Sequence, residues 1–348
     1  MQPFDRNLLE LLQSHLPLVA EPFAAIAEQL TCGEQAVLDR TRELRGPAGL
    51  IREIAGIFDA ARLGYRQGLV AFRAGPERID QAGAIVAGHP GVSHCYGRDG
   101  TYNLWFTLAA SPLSSLGLAE TAGLLARKCG ASAHLVLPTL RRYKLDVRFS
   151  LGPEANSALA PAPAGEARDQ ADEGPDQTPA APAPEQIRAI RGLQIDLPIR
   201  RGAFAGPARQ VGLAAEALLA HGSDFLKTGW LRRYAAVLHH RAAGAKANVM
   251  VVWQVDESSA DAAGASCAEA AEVSHCYLRP TGADWPYNLY TMIHGSDRAH
   301  CAAAIRRIAG ETGLDDHLEL WTAREYKKRR VRFFTEDEQQ WESQNAEG

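Results

Sequence analysis

The chain contains one stretch twice. VSHCYGRDGTYNLWFTL runs from Val92 to Leu108, and VSHCYLRPTGADWPYNLYTMIHG runs from Val273 to Gly295. In both, Ser-His-Cys-Tyr-x-Arg precedes Tyr-Asn-Leu, and only the loop between them differs in length. Two further pairs keep the same order: GLIREIAGIF (49–58) with GWLRRYAAVL (229–238), and LRRYKLDVRF (140–149) with AREYKKRRVRF (323–333). Three blocks at a nearly constant offset mean that one domain unit was duplicated and fused, since a period this long belongs to a domain and not to a solenoid. A chain of 348 residues has room for about two domains that each bury a core.

Each copy reads as a helical unit followed by strands. Phe4–Gln13, Pro22–Leu30 and Glu34–Leu44 have helical apolar spacing, with a turn at Thr31-Cys32-Gly33, which is a helix-turn-helix order. Strands are expected over 50–58 and 67–73, a helix over 77–88, a hairpin over 92–96 and 103–109, a helix over 118–129 and a strand over 133–137. The expected fold is therefore α+β, with two tandem copies of a winged-helix-like helix-turn-helix plus a ferredoxin-like β-α-β-β-α-β domain. The expected units are 1–48 (helix-turn-helix), 49–150 (first ferredoxin-like domain), 185–228 (a second helix-turn-helix) and 229–335 (second ferredoxin-like domain). The second helical unit reads as degenerate, because Gly192, Pro198, Gly202, Gly206 and Pro207 interrupt it and only 210–221 keeps helical periodicity. Residues 151–184 are rich in Ala and Pro and read as a disordered tether, and 336–348 as a disordered acidic tail.

A formal net charge of −4 disfavours a protein that coats nucleic acid, which is driven by phosphate neutralisation. The third helix sets Glu34, Gln35, Asp39 and Glu43 against Arg40, Arg42 and Arg45, too acidic a face for reading a DNA groove. DNA binding is disfavoured on both counts. The six cysteines have no metal-like spacing and read as reduced thiols. Neither a leader pattern after Met1 nor a run long enough to span a bilayer is seen, so the expected location is the cytoplasm.

The residues able to do chemistry fall in the repeated blocks. His94, Tyr96 and Arg98 alternate along one strand and project from one face, as do His275, Tyr277 and Arg279 in the second copy. A face with an imidazole, a phenol and a fixed cation makes a poor core and a reasonable wall for an anionic ligand. His239, His240 and Arg241 follow the first strand of the second copy, where the first copy has Asp59, Ala60 and Ala61, so the halves are chemically unequal. Arg141, Arg142, Tyr143 and Lys144 match Arg324, Tyr326 and Lys327. Two basic runs beside the His-Tyr-Arg walls suggest a polyanionic small molecule, with Arg offering bidentate carboxylate recognition. Trp105 and Trp285 are candidates for stacking on a flat ligand, and Asn103 and Asn288 of the repeated Tyr-Asn-Leu join the same candidate set. No nucleotide-cradling loop, HExxH or nucleophile elbow is present.

A helix-turn-helix followed by a β-α-β-β-α-β domain resembles the Lrp/AsnC regulators. VSHCYGR with YNLWFTL, and AVLHHR, ANVMVVW, WPYNLYTMIHG and REYKKRRVRFF, are more specifically similar to the siroheme decarboxylases of that superfamily, with a D/L-type first half and a G/H-type second half. The resemblance implies removal of carbon dioxide from two acetate side chains of siroheme to give didecarboxysiroheme, for haem d1 or an alternative haem route. It also implies pairing of the two ferredoxin-like halves within one chain, with a homodimer as a further option, and no cofactor beyond the iron-containing substrate. Under it, Arg98, Arg141, Arg142, Lys144, Arg279, Arg324 and Lys327 are the candidates for holding unreactive carboxylates. His275 and His240 become the candidate proton donors with Tyr277 assisting, and His94 and Tyr96 are the first-half equivalents. One of His94, His240 and His275 is alternatively a ligand to the siroheme iron. The competing functions are a ligand-responsive regulator binding DNA through 1–48, and a tetrapyrrole carrier without catalysis.

Overall fold

The computed structural model describes residues 2–46, 49–145, 181–238 and 247–345. The first helical unit is α1 (Pro3–Ser14), α2 (Pro22–Gln29) and α3 (Glu34–Arg45). Pro3 opens α1, where a missing N–H costs nothing, Asp5 sits in its first turn, and Leu8, Leu9 and Leu12 form its buried stripe. Strand β1 (Ile51–Phe58) leads into β2 (Arg66–Arg73), α4 (Ile79–Gly88), β3 (Val92–Arg98), β4 (Leu104–Ala110), α5 (Gly117–Cys129), β5 (Ala133–Pro138) and β6 (Arg141–Leu145). The second half repeats the plan with α6 (Pro184–Leu193), α7 (Ala205–Gln210), α8 (Ala215–Thr228), β7 (Leu231–Leu238), β8 (Ala247–Trp253), α9 (Ala260–Glu269), β9 (Val273–Leu278), β10 (Leu289–Gly295), α10 (Arg298–Thr312), β11 (His317–Lys328) and α11 (Glu336–Asn345).

Among the described residues one nine-stranded sheet runs β5-β2-β4-β3-β11-β8-β10-β9-β6, and β1 pairs antiparallel with β7. The order β5-β2-β4-β3 is the ferredoxin-like arrangement. The two halves are joined by exchanged strands. The first part of β11 pairs with β8 of its own half, and its second part crosses to β3 of the first half. β5 and β6 do the reverse, β5 pairing with β2 and β6 with β9. The inner faces then share one core, with Ala71, Trp105 and Leu137 of the first half against Met250, Val252, Tyr290 and Leu320 of the second. Helices α4 and α5 cover the outer face of one half, and α9 and α10 that of the other. No helix among the described residues is long and apolar enough to cross a membrane.

The second helical unit departs from its expected form. Helix α8 begins at Ala215 and extends to Thr228 instead of spanning 210–221, since Gly212 takes a positive φ and breaks the chain before it. The segment between α6 and α7, expected to be merely eroded, lies on α3. Arg42 donates to the carbonyl of Ile199 (2.9 Å) and Arg45 to that of Leu197 (3.1 Å), Arg201 pairs with Glu34 (2.7 Å), and Asp196 pairs with Arg45 and accepts from the Ile54 amide (2.9 Å). Arg40 is held by Asp5 (2.6 Å). The side chains with which a recognition helix would contact DNA are thus engaged within the chain. The Ala/Pro-rich stretch from 151 to 180 lies outside the described residues.

The acidic tail, expected to be disordered, forms α11 through residue 345. Charge had suggested solvation, but Glu338 accepts from the Ser111 amide (2.9 Å), and Glu342 accepts from the Ser115 amide (3.0 Å) and the Ser114 hydroxyl, covering the N-terminal side of α5. Trp341 meets the buried His89 ring edge-on (4.2 Å). Burial pushes the Glu338 carboxyl up to about 7, the Ser111 amide opposing this and Glu342 adding to it. Because the folded value lies above the unfolded one, this group's contribution is full below about 4.5 and is lost as pH rises through about 7. Glu338→Gln keeps the acceptor and removes the titration. It should raise thermal stability at pH 8–9, by an upper limit of roughly 3 kcal/mol from the size of the shift, and give no gain at pH 5. Melting curves at the two pH values check this.

Candidate active site

The repeated Ser-His-Cys-Tyr lies on β3 and β9. Cys95 and Cys276 point outward into the helix-covered cores, so the alternation of a strand turns the neighbouring residues inward. His94 and Tyr96 are thereby brought together (ring centroids 6.2 Å), and His275 and Tyr277 likewise (6.2 Å). The Ser93 hydroxyl lies 2.9 Å from Nδ1 of His94 and 2.5 Å from the Thr107 hydroxyl. The Ser274 hydroxyl lies 2.7 Å from Nδ1 of His275 and 2.8 Å from Nε2 of His294.

The structure sets Arg98 and Arg279 beneath the two faces. Each is buried, with its guanidinium about 5 Å from the tyrosine ring two positions before it. Nη1 of Arg98 donates to the Leu320 carbonyl (2.9 Å) and the Thr322 hydroxyl (3.1 Å), and Nη1 of Arg279 to the Leu137 carbonyl (2.7 Å) and the Thr139 hydroxyl (3.2 Å). Each arginine therefore ties its strand to the exchanged strand of the other half. Burial pulls Arg98 down to about 10, against the opposing effect of Tyr96, and also lowers Arg279.

Most of the basic run faces outward. Arg141 pairs with Asp261 of α9, the Tyr143 hydroxyl donates to the same carboxylate (2.6 Å), and Lys144 donates to the Ala270 carbonyl (2.9 Å). On the other side Arg324 (2.6 Å) and Tyr326 (2.7 Å) bind Asp80 of α4, and Lys327 donates to the His89 carbonyl (2.7 Å). The register shifts within β6 and β11 turn consecutive residues, Tyr143-Lys144 and Tyr326-Lys327, to one side. Gly264 and Gly83 admit these tyrosine rings, since a Cβ there would lie 2.2 Å and 2.6 Å from them. Six residues expected at a ligand thus clasp the exchanged strands to the outer helices. Asn103 and Asn288 each exchange two hydrogen bonds with the backbone of a neighbouring residue, Ala74 and Val255. Trp105 and Trp285 pack together (5.4 Å) in the core between the halves. His239, His240 and Arg241 lie outside the described residues.

Arg142 remains on the inner side, opposite Tyr277 in the β6–β9 register. Its counterpart opposite Tyr96 is Glu325. Burial pushes Tyr96 up to about 12, with Glu325 adding to the effect and Arg98 opposing it. Burial also raises Tyr277, but there Arg279, Arg142 and Arg232 all oppose it. Arg232, on β7, is held by Asp59 of the first half (2.8 Å). Burial works against ionisation of Asp59, yet the charge of Arg232 and the Arg62 amide leave its pKa below the usual range. Tyr277 therefore lies among cations while Tyr96 has a carboxylate beside it, and Lys328 stands opposite His94 where Leu145 stands opposite His275. Arg232, Ser274 and His294 were missed from the sequence; the serine before the histidine in both copies was the available signal. Among the described residues no cluster of three or more His, Cys, Asp or Glu is placed to hold a metal ion.

Two family models match the chain: an AsnC-like ligand binding domain over 62–144 and 242–327, and a siroheme decarboxylase NirDL-like HTH domain over 5–52. A siroheme decarboxylase of Hydrogenobacter thermophilus is 32% identical over 97% of this chain and 97% of its own length. A siroheme decarboxylase NirDL subunit of Paracoccus denitrificans is 29% identical over 94% of this chain and 97% of its own. The crystal structure of a siroheme decarboxylase NirDL in complex with an iron-uroporphyrin III analogue superimposes with a TM-score of 0.77 at 28% identity, covering 98% of both chains.

Proposed function

The chain belongs to the siroheme decarboxylase family, and from that premise we propose that the His275–Tyr277 face of its second half is where siroheme loses carbon dioxide. The enzyme converts siroheme to didecarboxysiroheme for haem d1 synthesis. Siroheme is flat and ringed with carboxylates, and the reacting ones are acetate groups. In each step the bond between the methylene carbon and the carboxylate breaks, carbon dioxide leaves, the electron pair passes toward the macrocycle, and the methylene carbon takes one proton to become a methyl group. The change is redox-neutral, so the balance calls for a proton donor and no added electron carrier.

His275 is assigned that donation, since an imidazole titrates in the working range. Tyr277 is a half-buried phenol whose pKa burial raises, and it is assigned the assisting role. Arg142 and Arg232 supply positive charge for carboxylates that do not react, and Arg98 and Arg279 act from beneath by holding the strands together. The observation that carries the choice of half is the exchange of Arg142 for Glu325 at equivalent positions, since a carboxylate beside Tyr96 repels a polyanion. The test is anaerobic incubation of the full chain with siroheme and mass analysis of the tetrapyrrole. Two successive losses of carbon dioxide are expected; siroheme bound and recovered unchanged would mean a carrier.

A further inference from the structure

We infer that His294, acting through Ser274, is a positioning residue that holds His275 in the tautomer and orientation the proton transfer needs. The inference rests on the assignment of His275 as proton donor.

One hydroxyl stands between two imidazoles, 2.7 Å from Nδ1 of His275 and 2.8 Å from Nε2 of His294. A serine hydroxyl has a single proton to give, and an imidazole nitrogen at 2.7–2.8 Å is a nearer and stronger acceptor than the Met292 carbonyl at 3.4 Å, so one ring takes that proton while the other donates to the oxygen. With neutral His294 accepting at Nε2, His275 donates Nδ1–H to Ser274, and its Nε2 becomes the nitrogen that carries the transferable proton. The backbone fixes both ends of this chain. The His294 amide donates to the Glu272 carbonyl (2.9 Å), and Ser274 and His275 are consecutive on β9, whose partner strand β10 carries His294. An imidazole nitrogen is a far stronger acceptor than a hydroxyl, so the chain holds the Ser274 hydroxyl, and with it the His275 ring, in one orientation, as partners behind a functional histidine commonly do.

Among the described residues the first half has the same serine and a different ending. Ser93 meets the Thr107 hydroxyl instead, which also accepts from the His94 amide (3.2 Å), and Ala109 occupies the position equivalent to His294. The duplicated site has thus kept the histidine and serine of the motif in both halves and an imidazole behind them in one. This second asymmetry falls on the same side as Arg142.

The test is steady-state decarboxylation by His294→Ala, His294→Gln and Ser274→Ala full-length chains, with siroheme binding followed by its visible absorption. His294→Ala is expected to lower kcat about 10–100-fold with KM changed by less than about threefold. His294→Gln, which retains an acceptor for Ser274, should recover most of the rate, as should added imidazole with His294→Ala. Ser274→Ala should match His294→Ala, and the double variant should be no slower than either. An unchanged kcat in a folded, siroheme-binding His294→Ala chain would overturn the inference, as would losses that simply add in the double variant. His275→Ala separates the two levels of argument. If it is inactive while His294→Ala is unaffected, only the positioning role fails; if it is fully active, the assignment of His275 falls first.

Discussion

His275→Ala is expected to slow decarboxylation about 10²–10⁴-fold, the range supplied by a single well-placed general acid. Siroheme should still bind, because Arg142 and Arg232 lie elsewhere, on β6 and β7. The loss should therefore appear in kcat with KM little changed, the pattern of an interaction made in the transition state. Tyr277→Phe removes an assisting hydroxyl and should cost less, about tenfold. His94→Ala is the internal control. Its strand has the same motif, but Glu325 stands opposite Tyr96 and Ser93 meets the Thr107 hydroxyl, so a rate within about twofold of the parent is expected. Product mass after a fixed time measures all three. An equal loss in His94→Ala would mean that both faces work.

The parts of this molecule legible in its sequence are those with local rules. Three-residue alternation around Cys95 and Cys276 fixes which side chains share a strand face, and the helices of the first unit follow their apolar spacing closely. Strand exchange has no such local signature. RRYKL is a strand whether it pairs with its own sheet or with β9, and the choice depends on surfaces far apart in the chain. The partners of the cations have no local signature either. A basic run next to a candidate wall suggested a ligand, but register shifts turn Tyr143-Lys144 and Tyr326-Lys327 to the outer side, where the carboxylates of Asp261 and Asp80 and the carbonyls of Ala270 and His89 wait. The acidic tail misled in the opposite sense. Glu338 and Glu342 are four apart, on one side of α11, and they meet donors on a loop more than two hundred residues earlier.

Arg142→Glu should weaken siroheme binding about 10–100-fold at low salt, because it gives the second-half face the charge that the first half already has. Position 142 is exposed, so screening must show. The loss should shrink as ionic strength rises and the Debye length falls from about 30 Å at 0.01 M to about 8 Å at 0.15 M. Arg142→Gln should fall between the two, since it removes attraction without adding repulsion. Glu325→Arg makes the mirror change and should strengthen binding at the first-half face while leaving kcat set by His275. Siroheme titrations at two salt concentrations read all of these. If Arg142→Glu and Glu325→Arg alter affinity equally and in the same direction, charge at this strand pair does not choose the face, and the asymmetry must come from the imidazole chain behind His275. If they act in opposite directions, the exchange of one residue between duplicated strands suffices to send a polyanion to one of two nearly identical walls.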